Sequence, residues 1–175
     1  LLRNHSKKLT AVVDPAEAEP VEEILLKNNW ELNQIINTHH HYDHTNGNFQ
    51  LKKKYNAVLI APKLEQDKIQ NIDHSVEDGD TIDIAGLPAK ILHTPGHTIG
   101  HIIYYLHNEK ILFAGDTIFS LGCGRVFEGS MLDMYLSLEK IKNLDRKTTI
   151  YCGHEYTESN LNFALKVDPH NSELL

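Results

Sequence analysis

The chain has 175 residues, 41% of them hydrophobic and 23% charged, and a formal net charge of −7 with histidine neutral; this is the make-up of one globular domain with a real core. An acidic surface with no basic stripe repels phosphate backbones, and no apolar run approaches the roughly 18 residues that would cross a membrane, so neither nucleic acid nor a membrane is an expected partner. Cys123 and Cys152 form neither a disulfide framework nor a CxxC pair, which fits a reducing compartment and predicts a cytoplasmic setting, or an organellar one.

Leu9 to Val13 predicts a strand that stops at Asp14-Pro15. Ala16 to Asn29 predicts a helix, with Val21, Ile24 and Leu25 on one face and Pro20 tolerated near its start. Leu32 to Asn37 predicts a short strand running into Thr38-His39-His40-His41-Tyr42-Asp43-His44. A helix follows to about Tyr55, then a strand over Ala57 to Ile60 and a short polar helix over Leu64 to Gln70. Thr81 to Ile84 and Ala89 to His93 read as a hairpin around Gly86. It ends at Thr94-Pro95-Gly96-His97. A second hairpin joins Ile102–Leu106 to Lys110–Ala114 and ends at Gly115-Asp116. Leu121 to Gly129 is a glycine-rich loop. Met131 to Leu144 predicts an amphipathic helix, Thr148 to Cys152 a strand ending at Gly153-His154, and Glu158 to Val167 a last helix.

Twelve histidines are many for this length, and half of them cluster. His39, His97, Asp116 and His154 each follow the end of an apolar strand, so loops far apart in sequence can converge on one rim. Residues two apart in extended chain point to one side, so His39 and His41 can grip one ion. Asp43 and His44 can address a second. His97 completes the first set, His154 the second, and the single carboxylate of Asp116 can bridge both. Packing alone has no use for four titratable residues within His39–His44, and burying them unpaired is costly. A structural zinc site closes with four ligands, whereas this set leaves open positions. Imidazole and carboxylate suit zinc first, with iron or manganese also fitting. Two such ions about 3.5–4 Å apart would lower the pKa of a bridging water from 15.7 toward ~7. Asp43 and Asp116 are the candidate catalytic carboxylates. His5, His74, His107 and His170 read as surface residues, His40 as outward-facing, and His93 and His101 as candidate supports for the ligands.

The His-x-His-x-Asp-His run followed by a later His, Asp and His resembles the metallo-beta-lactamase superfamily, with Asp14 in Val12-Val13-Asp14-Pro15 matching its first motif. Thr94-Pro95-Gly96-His97-Thr98, Phe113-Ala114-Gly115-Asp116-Thr117, Gly122-Cys123-Gly124-Arg125-Val126-Phe127-Glu128-Gly129 and Gly153-His154-Glu155-Tyr156-Thr157 are similar to the glyoxalase II, or hydroxyacylglutathione hydrolase, family. That resemblance implies an α/β fold, the αβ/βα sandwich of two mixed sheets with outer helices. It implies hydrolysis of S-D-lactoylglutathione and related 2-hydroxyacylglutathiones to D-lactate and glutathione by a metal-bridging hydroxide, the end of methylglyoxal detoxification. It also implies glutathione contacts at Arg125, Phe127 and Tyr156. Residues 1–155 are then the catalytic domain, with a clipped first strand, and residues 156–175 begin a truncated helical substrate-binding region. A monomer is expected. The rival reading is a single-iron persulfide dioxygenase acting on glutathione persulfide.

Overall fold

Gln34–Ile36 (β3) and Val58–Pro62 (β4) are apolar on both sides, the signature of strands covered on both faces. In the computed structural model, which describes residues 1–174, they lie side by side in a five-stranded sheet. That sheet runs Leu2–Asn4 (β1), Leu9–Val13 (β2), β3, β4 and His74–Val76 (β5). Only β1 is antiparallel to its neighbour. Parallel neighbours need crossovers. Glu19–Asn28 (α1) supplies the first, between β2 and β3. The turn Tyr42–Thr45 (α2) and the helix Asn48–Tyr55 (α3) supply the second.

The second sheet is built from hairpins: Thr81–Ile84 (β6), Leu87–His93 (β7), Ile102–Leu106 (β8) and Ile111–Gly115 (β9). Ile118–Phe119 (β10) and Gly122–Cys123 (β11) make a small separate hairpin. After the helix Met131–Lys142 (α4), Thr149–Cys152 (β12) returns parallel to β9 and completes the sheet in the order β12-β9-β8-β7-β6. Thr157–Val167 (α5) follows. The Ser130 hydroxyl and the Asp133 carboxylate cap the start of α4 reciprocally.

Strand alternation sorts the core into layers. Ala11, Ile36 and Ile60 from the first sheet meet Ile91, Ile102, Tyr104 and Leu106 from the second in a central core. Val12, Ile35 and Leu59 face the other way and pack against Leu25 of α1 and Leu51 of α3. On the far side, Ile103, Leu112 and Ala114 pack against Ile141 of α4. The result is helix, sheet, sheet, helix: the αβ/βα sandwich.

Two expectations change at the edges, and one strand appears that was not expected. The first helix starts at Glu19 rather than Ala16, placing Pro20 in its first turn, where a missing N–H costs nothing. The polar helix expected over Leu64–Gln70 is a single 3-10 turn, Lys63–Glu65. The edge strand β5 had no apolar alternation to announce it, since His74 and Ser75 are exposed.

Tyr104 is fully buried in the central core, and its hydroxyl donates to the Asn37 carbonyl at 2.7 Å, directly beneath the histidine-rich loop. Tyr104→Phe leaves that carbonyl unpaired and is expected to cost about 1–2 kcal/mol of unfolding free energy. A shifted midpoint in urea denaturation at unchanged slope measures it.

Candidate metal centre

The candidate ligands sit where strands end. β3 delivers Asn37 and then Thr38 to His41; β7 leads to His97; β9 ends at Gly115 and hands over Asp116; β12 ends just before His154. β9 and β12 are parallel, with Gly115 opposite Cys152 and the Gly153 N–H donating to the Gly115 carbonyl at 2.8 Å, so Asp116 and His154 leave the sheet side by side. The two sheets are tied at this rim by the Ile102 N–H, which donates to the Thr38 carbonyl at 3.0 Å. Gly115 turns here with φ +48, and a Cβ would run into Thr38 and His101.

All seven candidate ligands meet. His39 Nε2 lies 3.1 Å from His41 Nδ1, which lies 2.9 Å from His97 Nε2. Asp43 Oδ2 lies 3.2 Å from His154 Nε2, which is 3.3 Å from His44 Nε2. Asp116 stands between the groups. Its Oδ2 is 3.3 Å from His97 Nε2 and 3.4 Å from His154 Nε2, and its Oδ1 is 3.3 Å from His44 Nε2.

Neighbouring groups orient these rings from behind. Thr38 Oγ1 lies 3.0 Å from His39 Nδ1. The Arg125 carbonyl, 2.8 Å from His97 Nδ1, accepts its N–H and leaves Nε2 for the centre. Asp14 accepts from the Thr38 N–H at 2.7 Å and hydroxyl at 2.6 Å, and faces His44 Nδ1 at 3.1 Å. His101 is fully buried, stacks on His39 with centroids 4.8 Å apart, and accepts the Asp116 N–H at 3.1 Å. His93 does something else: its Nε2 bonds the Ile99 carbonyl at 2.7 Å.

The electrostatics fit a cation. Burial, then the facing imidazoles, hold His39 far below the usual histidine range and lower His41 as well. Burial likewise pushes His101 to about 3. Neutral rings with free lone pairs are the form a metal binds. Burial opposes a charge on His44, but the carboxylates of Asp116 and Asp14 outweigh it and raise that ring to about 10. Burial also opposes ionisation of Asp116, yet His44, His154 and His97 keep its carboxyl below the ordinary value. Asp116 Oδ1 is buried without a well-aligned hydrogen bond. Converging lone pairs around an ionised, under-satisfied carboxylate are what a divalent metal would complete.

A cleft of about 460 Å³ opens over this centre, walled by Phe119, Arg125, Phe127 and Tyr156. Arg125 lies over the Phe127 ring at 5.3 Å, and Tyr156 stacks on His154 with centroids 5.3 Å apart. Sequence reasoning missed Phe119 and Tyr42 on this wall, because a lone aromatic in a loop carries no spacing signal. His5, His74, His107 and His170 are exposed. Cys123 and Cys152 are free and exposed.

Gly153 has no side chain because a Cβ there would collide with the Asp116 carboxylate and the His44 ring. Gly153→Ala is expected to weaken metal binding about 10–100-fold, read as metal retained per chain after dialysis against a chelator; full retention would show that these groups move aside freely.

A family model described as the metallo-beta-lactamase superfamily matches residues 1–154. A protein of Pelagibacter ubique named hydroxyacylglutathione hydrolase is 50% identical over 174 residues, covering 99% of this chain and 73% of that one. Another of the same name from Brucella anthropi is 48% identical, covering 99% and 67%. In three dimensions the chain resembles the BLEG-1 B3 metallo-beta-lactamase with a TM-score of 0.82 at 23% identity, over 99% of this chain and 91% of that one, a likeness of fold. The chain therefore belongs to the metallo-beta-lactamase superfamily and, within it, to the hydroxyacylglutathione hydrolase family.

Proposed function

We propose that this protein hydrolyses the thioester of S-D-lactoylglutathione and related 2-hydroxyacylglutathiones, releasing D-lactate and glutathione. The observation that carries the reading is the position of Asp116, between His97 and His154, on the floor of the cleft that holds Arg125, Phe127 and Tyr156. The named activity of the Pelagibacter and Brucella relatives agrees with it.

His39, His41 and His97 would hold one divalent ion, Asp43, His44 and His154 a second, and Asp116 would serve both; zinc suits this set, and iron or manganese also fits. Such a pair, when bound, acidifies a water toward pKa ~7 and polarises the thioester carbonyl. The chain's own residues do the rest. Asp43, more than half exposed at the cleft mouth, is placed to accept a hydrogen bond from the attacking water and orient it. Arg125 supplies a local cation for the carboxylates of glutathione, which the net charge of −7 would otherwise repel. Phe127 and Tyr156 offer apolar walls to the tripeptide. As the new C–O bond forms, the C–S bond breaks and glutathione leaves as thiolate. With a thiol pKa of ~8.5, that departure needs no dedicated acid. Residues 1–155 would carry the chemistry. Tyr156 and α5, whose Asn160 amide donates to the Ser120 carbonyl at 2.9 Å, would begin the helical region on the substrate side.

The test is hydrolysis of S-D-lactoylglutathione, followed by loss of thioester absorbance, with elemental analysis of the same sample. Two divalent ions per chain and turnover are expected. One iron with oxygen uptake on glutathione persulfide would overturn the reading in favour of a dioxygenase. Asp116→Ala should abolish turnover while the circular dichroism spectrum stays native; unchanged turnover refutes the shared role of this carboxylate. Arg125→Ala should raise KM more than it lowers kcat, because it removes binding made before the transition state. An unaltered KM refutes the glutathione contact.

A further inference from the structure

His40 lies between two candidate ligands in sequence but turns away from them. It does not face solvent. Its Nδ1 lies 2.9 Å from Glu65 Oε2 and its Nε2 lies 3.6 Å from Glu128 Oε1. Glu65 is buried, with only 1% of its side chain exposed. A buried carboxylate must be paired, and the pairing is thorough: Glu65 also accepts the Thr98 hydroxyl and the Gly100 N–H, the latter at 3.1 Å. Gly100 lets this happen, since a Cβ there would strike the Glu65 side chain. Glu128 in turn accepts the Ile99 N–H at 3.0 Å and the Lys68 ammonium at 2.7 Å.

Four segments are therefore joined through His40 and its two carboxylates. They are the ligand loop of His39 and His41, the ligand loop of His97, the turn ending at Glu65, and the cleft loop with Arg125 and Phe127. Two backbone bonds lay the cleft loop on the His97 loop: Phe127 N–H to the His97 carbonyl at 3.3 Å and Gly129 N–H to the Gly96 carbonyl at 3.1 Å. Main-chain bonds of this length set the register. They do not reach the His39–His41 segment. Side chains do: Phe127 meets the His41 ring edge-on with centroids 5.7 Å apart, and Glu128 faces His40, making the polar connection. Every carboxylate in the group already has a protein donor, so it is built as a tie between segments and not as a third cation site.

We propose that Glu65, His40 and Glu128 form a latch that positions the cleft loop over the metal centre, so that His40 and Glu128 are positioning residues for substrate binding. The latch explains why a histidine stands between two ligand histidines while pointing away from the ions they would hold. It rests on the reading that Arg125 and Phe127 receive the substrate.

The test compares His40→Ala, Glu128→Ala, the double variant and Arg125→Ala in the metal-loaded protein. KM and kcat for S-D-lactoylglutathione are measured with metal content and amide exchange of residues 125–129. Each latch variant should raise KM about five-fold with a smaller change in kcat, and speed exchange in that loop. The double variant should do no more than the larger single, because both changes break one connection. Additive effects overturn the latch. So does an unchanged KM in the latch variants when Arg125→Ala raises it. Loss of a third metal equivalent in His40→Ala also overturns it, by making the group a cation site. If Arg125→Ala leaves KM unaltered, the substrate reading of the loop fails, and the latch with it. Glu128, at the surface, keeps the comparison valid should His40→Ala fold poorly.

Discussion

Asp116 keeps a buried negative charge between two groups of imidazoles, and the surrounding elements are arranged so that this charge is tolerated and useful. An ionised carboxylate away from water is expensive unless cations or donors surround it. Here its N–H is held by His101, its oxygens face His44, His97 and His154, and the adjacent glycine backbone gives it room. Burial and the neighbouring imidazoles hold His39 neutral, the form a metal binds, whereas the carboxylates of Asp116 and Asp14 raise His44. A centre of this kind gains from a divalent cation at every contact, which is why polar groups that would be a liability in an ordinary core can stand together here.

The sandwich makes the convergence possible. Parallel pairing of β2, β3 and β4 brings their carboxyl ends to one rim, so Asp14 and the His39–His44 segment emerge together. On the other sheet, β12 returns parallel to β9 and sets His154 beside Asp116. Apolar packing on both faces of β2, β3, β4 and β9 holds the rim firmly beneath the loops. The loops that carry the candidate ligands are then fastened to one another by side chains: Asp14 to Thr38, His101 to Asp116, and His97 to the Arg125 carbonyl. The last of these ties the cleft loop to the orientation of the His97 ring.

Charge complementarity is local. The protein is acidic as a whole, yet the cleft places Arg125 over Phe127 beside the centre, which suits a substrate carrying carboxylates on a flexible apolar-polar chain. A thioester also asks little of the enzyme at the leaving side, since a thiolate departs unaided near neutral pH. The cleft accordingly carries aromatic walls and a single arginine close to the centre, and needs no dedicated proton donor for sulfur.

Much of this was legible in the chain itself. Short apolar runs announced the core strands, and the spacing His39-x-His41 put two rings on one side because extended chain has a period of two. The placement of His97, Asp116 and His154 after apolar strands announced a common rim, since residues at strand ends are carried by rigid neighbours. Other features had no local signature. The edge strand β5 is polar and exposed, so nothing in its composition separates it from a loop. The pairing of β12 with β9 depends on where a helix returns the chain, which spacing does not encode. The partners of His40 lie 25 and 88 positions away, at Glu65 and Glu128, and a lone glutamate in a sequence looks solvated. Composition and periodicity act through neighbours in the chain and so determined the strands, the helices and the candidate ligands. Which ligand faces which, and which carboxylates are buried, was decided only by tertiary contacts, because those energies arise between segments that the sequence keeps apart.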